Sequence, residues 1–120
     1  MRHAAIVRTW ARVLLPAVAG YLLGSIPTAV IVGRRRHVDL RRVGDRNPGW
    51  WNAKEELGGK AALPVLVVDI AKGAAAAGIG RAVARPGTWW PGYLGAAAAM
   101  VGHAWPLFAR FRGGRSVATL

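Results

Sequence analysis

Two stretches of twenty residues decide what this chain can become. Val13 to Val32 carries no charge at all, and Ala61 to Gly80 carries only Asp69 and Lys72. As helices rising 1.5 Å per residue, each would be about 30 Å long, the thickness of a bilayer's hydrocarbon core. Hydrocarbon offers the backbone no hydrogen bonds, so segments that long must satisfy their own, and helices do. A shorter apolar run follows from Tyr93 to Phe108. The expectation is an all-α, polytopic membrane helical bundle with about three transmembrane helices, near residues 13–32, 61–80 and 93–108. One domain over residues 1–120 holds them all. A basic start before an apolar run also describes a secretory signal peptide. The first run is long for that, and no small-x-small cleavage site leading into a soluble domain follows it.

Charge narrows the partners. Seventeen Lys and Arg against five Asp and Glu leave a net charge of +12, which favours phospholipid head groups, phosphorylated substrates or nucleic acid. The basic residues stand beside apolar spans without a recognisable nucleic-acid module, so no nucleic-acid partner is expected. The absence of cysteine removes disulfides and thiol catalysis. His3, His37 and His103 show no ligand spacing, so no metal site is expected. Asp69 and Lys72 are three residues apart and share a helix face. Either charge alone at mid-bilayer would cost about 2.5–3.5 kcal/mol on insertion scales, so they are expected as a structural intramembrane pair facing the bundle interior. Gly20 and Gly24, four apart, offer a face on which a neighbouring helix can come close.

Two polar stretches flank these spans. From Arg34 to Lys60 the chain has eight basic residues and four acids, around GDRNPGWWNAKEELGGK. Asn47, Pro48 and Gly49 favour a tight turn, and Trp50 and Trp51 suit the headgroup level. By residue type alone this is a plain interfacial connector. From Gly102 to Thr119 the chain reads GHAWPLFARFRGGRSVAT, an apolar lead-in containing His103 and then a basic turn with paired glycines. Glycines let a backbone approach a phosphate, and N–H groups and arginines bind its oxygens, so this is an anion-binding loop at the end of a membrane helix. Arg112, two residues before Gly114, is expected to matter far less than Arg115 if it faces lipid head groups. The loop is not a Walker A motif, because the first glycine of that pattern would fall on Ala109 and no strand precedes it. A lone His in an apolar helix is ordinarily a satisfied structural residue, and the sequence leaves that role for His103 open beside a catalytic one. Placing both polar stretches on one side gives that side eleven Lys and Arg against five on the other, so both loops are expected in the cytoplasm and the N-terminus outside.

The order of these pieces resembles the bacterial membrane glycerol-3-phosphate acyltransferases that use acyl-phosphate as donor. The likeness rests on YLLGSIPTA from Tyr21 to Ala29, Gly44 and the NPG turn with Asn52, and GGKAA from Gly58. It continues through VDIAKG from Val68 to Gly73 and GHAWP, and ends on F-R-G-G-R-S-V-A-T. The resemblance implies a multi-pass protein of the bacterial inner membrane that moves an acyl group from acyl-phosphate to the 1-hydroxyl of glycerol 3-phosphate. The product would be lysophosphatidic acid, and no metal or coenzyme would be needed. Substrate phosphate would be bound by Asn47, Gly49, Asn52, Gly113, Gly114, Arg115 and Ser116, with Asp45, His103 and Arg115 as catalytic candidates. Two positions depart from the family's first motif, in which a serine and an arginine carry function: Asp45 and Glu55 stand there. A carboxylate about 4 Å from a phosphate costs about 4 kcal/mol at an effective dielectric near 20, although Asp45 could serve as a general base on the acceptor hydroxyl. In the second motif Gly-Gly-Lys-Gly becomes Gly113, Gly114, Arg115 and Ser116, which keeps the charge. The family continues for several further spans, so a fragment is expected, or a homo-oligomer or partner that completes the bundle. The alternative expectation is a catalytically inactive truncated homologue that binds membrane lipid or a partner protein.

Overall fold

The computed structural model describes residues 1–114, and all of its regular elements there are helical. Helix α1 spans Arg2–Gly24, α2 Thr28–Arg35, α3 Trp50–Leu57, α4 Gly59–Val83 and α5 Trp90–Ala104, followed by a 3₁₀ turn at Leu107–Ala109. Helices α1, α4 and α5 pack on one another pairwise, while α2 and α3 lie against α4. The membrane bundle is inside-out by soluble standards. Leu14, Leu15, Val18 and Leu22 of α1 and Leu63, Val67 and Ile70 of α4 face outward, whereas the contacts between helices are made by small residues. Without a hydrophobic drive between helices in lipid, close backbone approach is what holds them together. Gly24 lies against the Ala99 backbone so tightly that a Cβ there would collide with the Ala99 carbonyl, and Gly20 meets the Gly95 carbonyl in the same way.

The expected spans shift in detail. The first is not one helix over residues 13–32. α1 starts at Arg2 and stops at Gly24, and α2 restarts at Thr28. Pro27 explains the break: it has no N–H to donate back along the helix, and it disfavours helical geometry at Ile26. The whole stretch Arg2–Arg35 and the helix Gly59–Val83 are each long and apolar enough to cross a membrane. The third helix begins before Tyr93 and ends at Ala104 rather than Phe108, where Trp105 and Pro106 leave helical geometry. Its 15 residues span about 22 Å.

The stretch between α2 and α3 is a packed unit and not a plain connector. Leu40 is fully buried in a small core with Ala29, Ala53, Ala62 and Val65. Asp39 accepts hydrogen bonds from the backbone N–H and the guanidinium of Arg41, which hold its carboxyl down at about 2 against an ordinary 3.8. Trp50 and Trp51 form the first turn of α3, with the Lys54 ammonium 5.5 and 5.0 Å from their ring centres.

Candidate functional site

Helix α4 is apolar except for one buried pair. The side chains of Lys72 and Asp69 are only 3% and 1% exposed, and Lys72 Nζ lies 2.8 Å from Asp69 Oδ1. The approach is close but off-axis: neither carboxylate oxygen receives a well-aligned hydrogen bond from the described residues. It is therefore an attraction between charges more than a directed bond. Lys72 also donates to the Ile26 carbonyl at 3.1 Å and meets His103 Nδ1 at 2.9 Å. Three acceptors thus ring the ammonium, one from each long segment of the bundle. The Ile26 carbonyl lies at the α1–α2 break, where it also accepts from Thr28 N–H at 3.0 Å. An ammonium donates and cannot accept, so Nδ1 presents its lone pair and the ring proton of His103 sits on Nε2.

That Nε2 edge faces the basic turn. A Cβ added at Gly114 would strike the His103 ring, and one at Gly113 would strike the His103 carbonyl. The turn folds back over the end of α5, with Gly113 N–H donating to the Ala104 carbonyl at 3.1 Å and Gly114 N–H to the His103 carbonyl at 3.0 Å. The N–H groups of those two glycines thus close the C-terminus of the helix. Arg110 and Phe111, at φ of 53° and 62°, turn the chain back so that the glycines can reach the helix end.

A narrow cleft lies where the pieces converge. Thr28, Pro48, His103, Arg112, Gly113 and Gly114 are among its walls, and its free volume is about 10 Å³. That is room for about one water. Both polar stretches singled out in the sequence therefore meet at one place. Arg112 lines this cleft while staying exposed. Thr28 was not singled out by its chemistry, yet its Oγ1 is buried without a hydrogen-bond partner among the described residues. Ser25 was likewise passed over. Its hydroxyl donates to the Tyr21 carbonyl at 2.7 Å and accepts from Leu107 N–H at 3.3 Å, tying the helix break to the chain beyond α5.

The first-motif residues divide by role. Asn52 is 2% exposed, and its amide is consumed by the loop it holds: it donates to the Leu40 and Val43 carbonyls and accepts from Asp45 N–H. It shapes the turn, its amide nitrogen engaged by two backbone carbonyls. Asp45 accepts from Asn47 N–H at 2.8 Å, so its carboxylate is engaged within its own turn. Gly49 N–H donates to the Asn47 carbonyl at 2.8 Å, and Pro48 between them is the residue that reaches the cleft. Glu55 is exposed on α3. Among the described residues no three His, Asp or Glu side chains stand close enough together to hold a metal ion. Arg115 and Ser116, next in the chain after Gly114, lie outside the described residues.

A family model described as glycerol-3-phosphate acyltransferase matches residues 14–120. A glycerol-3-phosphate acyltransferase of Synechococcus sp. (strain JA-3-3Ab) is 46% identical over 111 residues, covering 92% of this chain and 53% of the relative. One from Rubrobacter xylanophilus is 44% identical over 106 residues, with 88% and 52% covered. Crystal structures of PlsY, an integral membrane glycerol 3-phosphate acyltransferase, superpose with TM-scores of 0.79 for its glycerol 3-phosphate form and 0.77 for its lysophosphatidic acid form. Sequence identity is 36% and 32%, over 89% of this chain and 53% and 52% of the respective PlsY chains. The chain thus spans about half the length of the curated relatives it matches.

Proposed function

The chain belongs to the glycerol-3-phosphate acyltransferase family, and from that premise we propose that it carries part of a site for acyl transfer from acyl-phosphate to glycerol 3-phosphate. The observation that carries this reading is the convergence of the NPG turn, the broken helix and the glycine-rich turn on one cleft beside His103 Nε2–H. In the reaction the 1-hydroxyl oxygen bonds to the acyl carbon and the carbon–oxygen bond to phosphate breaks. Lysophosphatidic acid and phosphate are the products, and the hydroxyl proton leaves with a base or with phosphate. Charge develops on the departing phosphate, so fixed cations and donors beside it supply catalysis. Arg115, with Ser116 and Arg112, is the proposed phosphate contact, and His103 Nε2–H and Thr28 Oγ1 are neutral partners in the same cleft. Asn47 and Gly49 set the turn that brings Pro48 in, and Asn52 positions it. The basic asymmetry supports a plasma-membrane protein with both motif loops in the cytoplasm and the N-terminus outside. The cleft's small volume supports a site whose remaining walls come from further chain, a second copy or a partner.

Glycerol 3-phosphate binding by the purified membrane protein tests this. Arg115→Ala should raise Kd roughly 10- to 150-fold, the worth of one charge-assisted hydrogen bond, and Arg115→Lys should recover much of it. Arg8→Ala, at the other end of the bundle, should change nothing. Equal losses at Arg8 and Arg115 would reduce the turn to a basic membrane anchor. A second reading, an inactive homologue that binds lipid or a partner, is favoured by Asp45 and Glu55 and by the committed N–H groups of Gly113 and Gly114. Washed membranes that bind glycerol 3-phosphate but transfer no acyl group from acyl-phosphate would select it.

A further inference from the structure

A second opening lies at the other end of the same helices. It encloses about 330 Å³ and is lined by Thr9, Arg12, Arg85, Thr88 and Trp90. Arg12 is twelve residues before Gly24 on α1, so the opening is about 18 Å along the helix from the acyltransferase cleft. Its frame is braced. Arg12 Nε donates to the Val83 carbonyl at 3.1 Å, which leaves the outer edge of its guanidinium for a ligand. The connection from α4 to α5 is tied by Arg81 to the Thr88 carbonyl at 2.7 Å and by Thr88 Oγ1 to the Arg85 carbonyl at 2.7 Å. The Arg81 guanidinium also lies over the Trp89 ring at 3.7 Å.

The charge at this end is uncompensated. The five carboxylates of the chain are Asp39, Asp45, Glu55, Glu56 and Asp69, whereas Arg2, Arg8, Arg12, Arg81 and Arg85 lie on α1's first half, the last turn of α4 and the α4–α5 connection. The Arg85 guanidinium has no hydrogen bond or ion pair among the described residues. Trp90 lines the opening and is exposed, as is Trp89 beside it in the chain, as indoles are at the level of lipid head groups. An opening with two guanidinium edges and an indole at that depth, and no acid, suits a phosphate group attached to a lipid.

We propose that this opening binds the phosphate of an anionic phospholipid from the leaflet opposite the acyltransferase cleft. Arg12 and Arg85 grip the phosphate, and Trp90 lies along the glycerol and upper acyl region. The site is independent of the proposed acyl transfer and survives if that reading fails.

The full chain in detergent micelles doped with phosphatidylglycerol or with phosphatidylcholine tests it, with retained lipid counted by native mass spectrometry. Phosphatidylglycerol should be retained at least tenfold more tightly. Arg85→Gln should weaken it about tenfold or more, as loss of a charge-assisted hydrogen bond does, and Arg85→Lys should weaken it less. Arg2→Gln removes an equal charge from the same end outside the opening and should leave retention unchanged. Equal losses in Arg2→Gln and Arg85→Gln would overturn the site in favour of a diffuse basic surface. Displacement of phosphatidylglycerol by millimolar inorganic phosphate would overturn the lipid as the source of the phosphate. Equal retention of the two lipids would overturn the proposal altogether.

Discussion

Replacing Lys72 by Met tests the buried centre of the bundle most sharply. Met fills nearly the same volume, so packing is conserved while the charge goes. The Asp69 carboxylate, 1% exposed, is then left with His103 Nδ1 at 3.8 Å as its nearest basic group among the described residues. Removing one partner of a buried pair costs about 3–5 kcal/mol because the other charge is stranded. That is roughly two to three and a half orders of magnitude in the folding equilibrium. Asp69→Asn together with Lys72→Met removes both charges and strands only one neutral acceptor, His103 Nδ1, since the Ile26 carbonyl still accepts from Thr28 N–H. The double variant should therefore cost less than the two singles added together, by about 1–3 kcal/mol of coupling. Equilibrium unfolding in mixed detergent micelles measures all three variants on one scale. A cost below about 1 kcal/mol for Lys72→Met, the worth of an exposed pair, would refute the reasoning. So would strict additivity.

Two further outcomes are expected. Gly24→Val places a Cβ into the Ala99 carbonyl, so α1 and α5 must separate; the variant should lose several degrees in thermal unfolding, whereas Gly78→Ala, whose Cβ would meet nothing within 4 Å, should be neutral. Cysteines introduced singly at Arg41 and Arg85 should react with an impermeant reagent in intact cells only at Arg85, and labelling of Arg41 alone would reverse the proposed orientation.

Much of the bundle was legible because hydropathy and helix geometry are local properties. Apolar runs of twenty residues in water-poor surroundings leave few choices, and a three-residue spacing puts Asp69 and Lys72 on one face whatever else happens. The break at Pro27 was visible as a residue but lost inside a uniformly apolar run, since hydropathy does not register a missing N–H. The paired glycines are ambiguous for a related reason. Gly113 and Gly114 permit a close backbone approach, but the sequence does not say whether the approaching group is a phosphate or the end of the chain's own helix. Asn52 bonds to backbone atoms as much as twelve residues away, and Thr28 is set apart by what fails to touch it. Both depend on tertiary neighbours that no local pattern encodes.

The broken first helix also bears on how the chain enters a membrane. A translating ribosome delivers α1 and α2 before α4, so the Ile26 carbonyl at the helix break is already in place when Lys72 follows 46 residues later. The charged pair of α4 then meets a waiting acceptor at once, and His103 supplies the third contact 31 residues after that. A circular permutant that delivers α4 first would hold Asp69 and Lys72 in lipid with only each other. The kink in one span is thus a landing point for the next, and biogenesis should be more sensitive than final stability to any change that restores a continuous helix there.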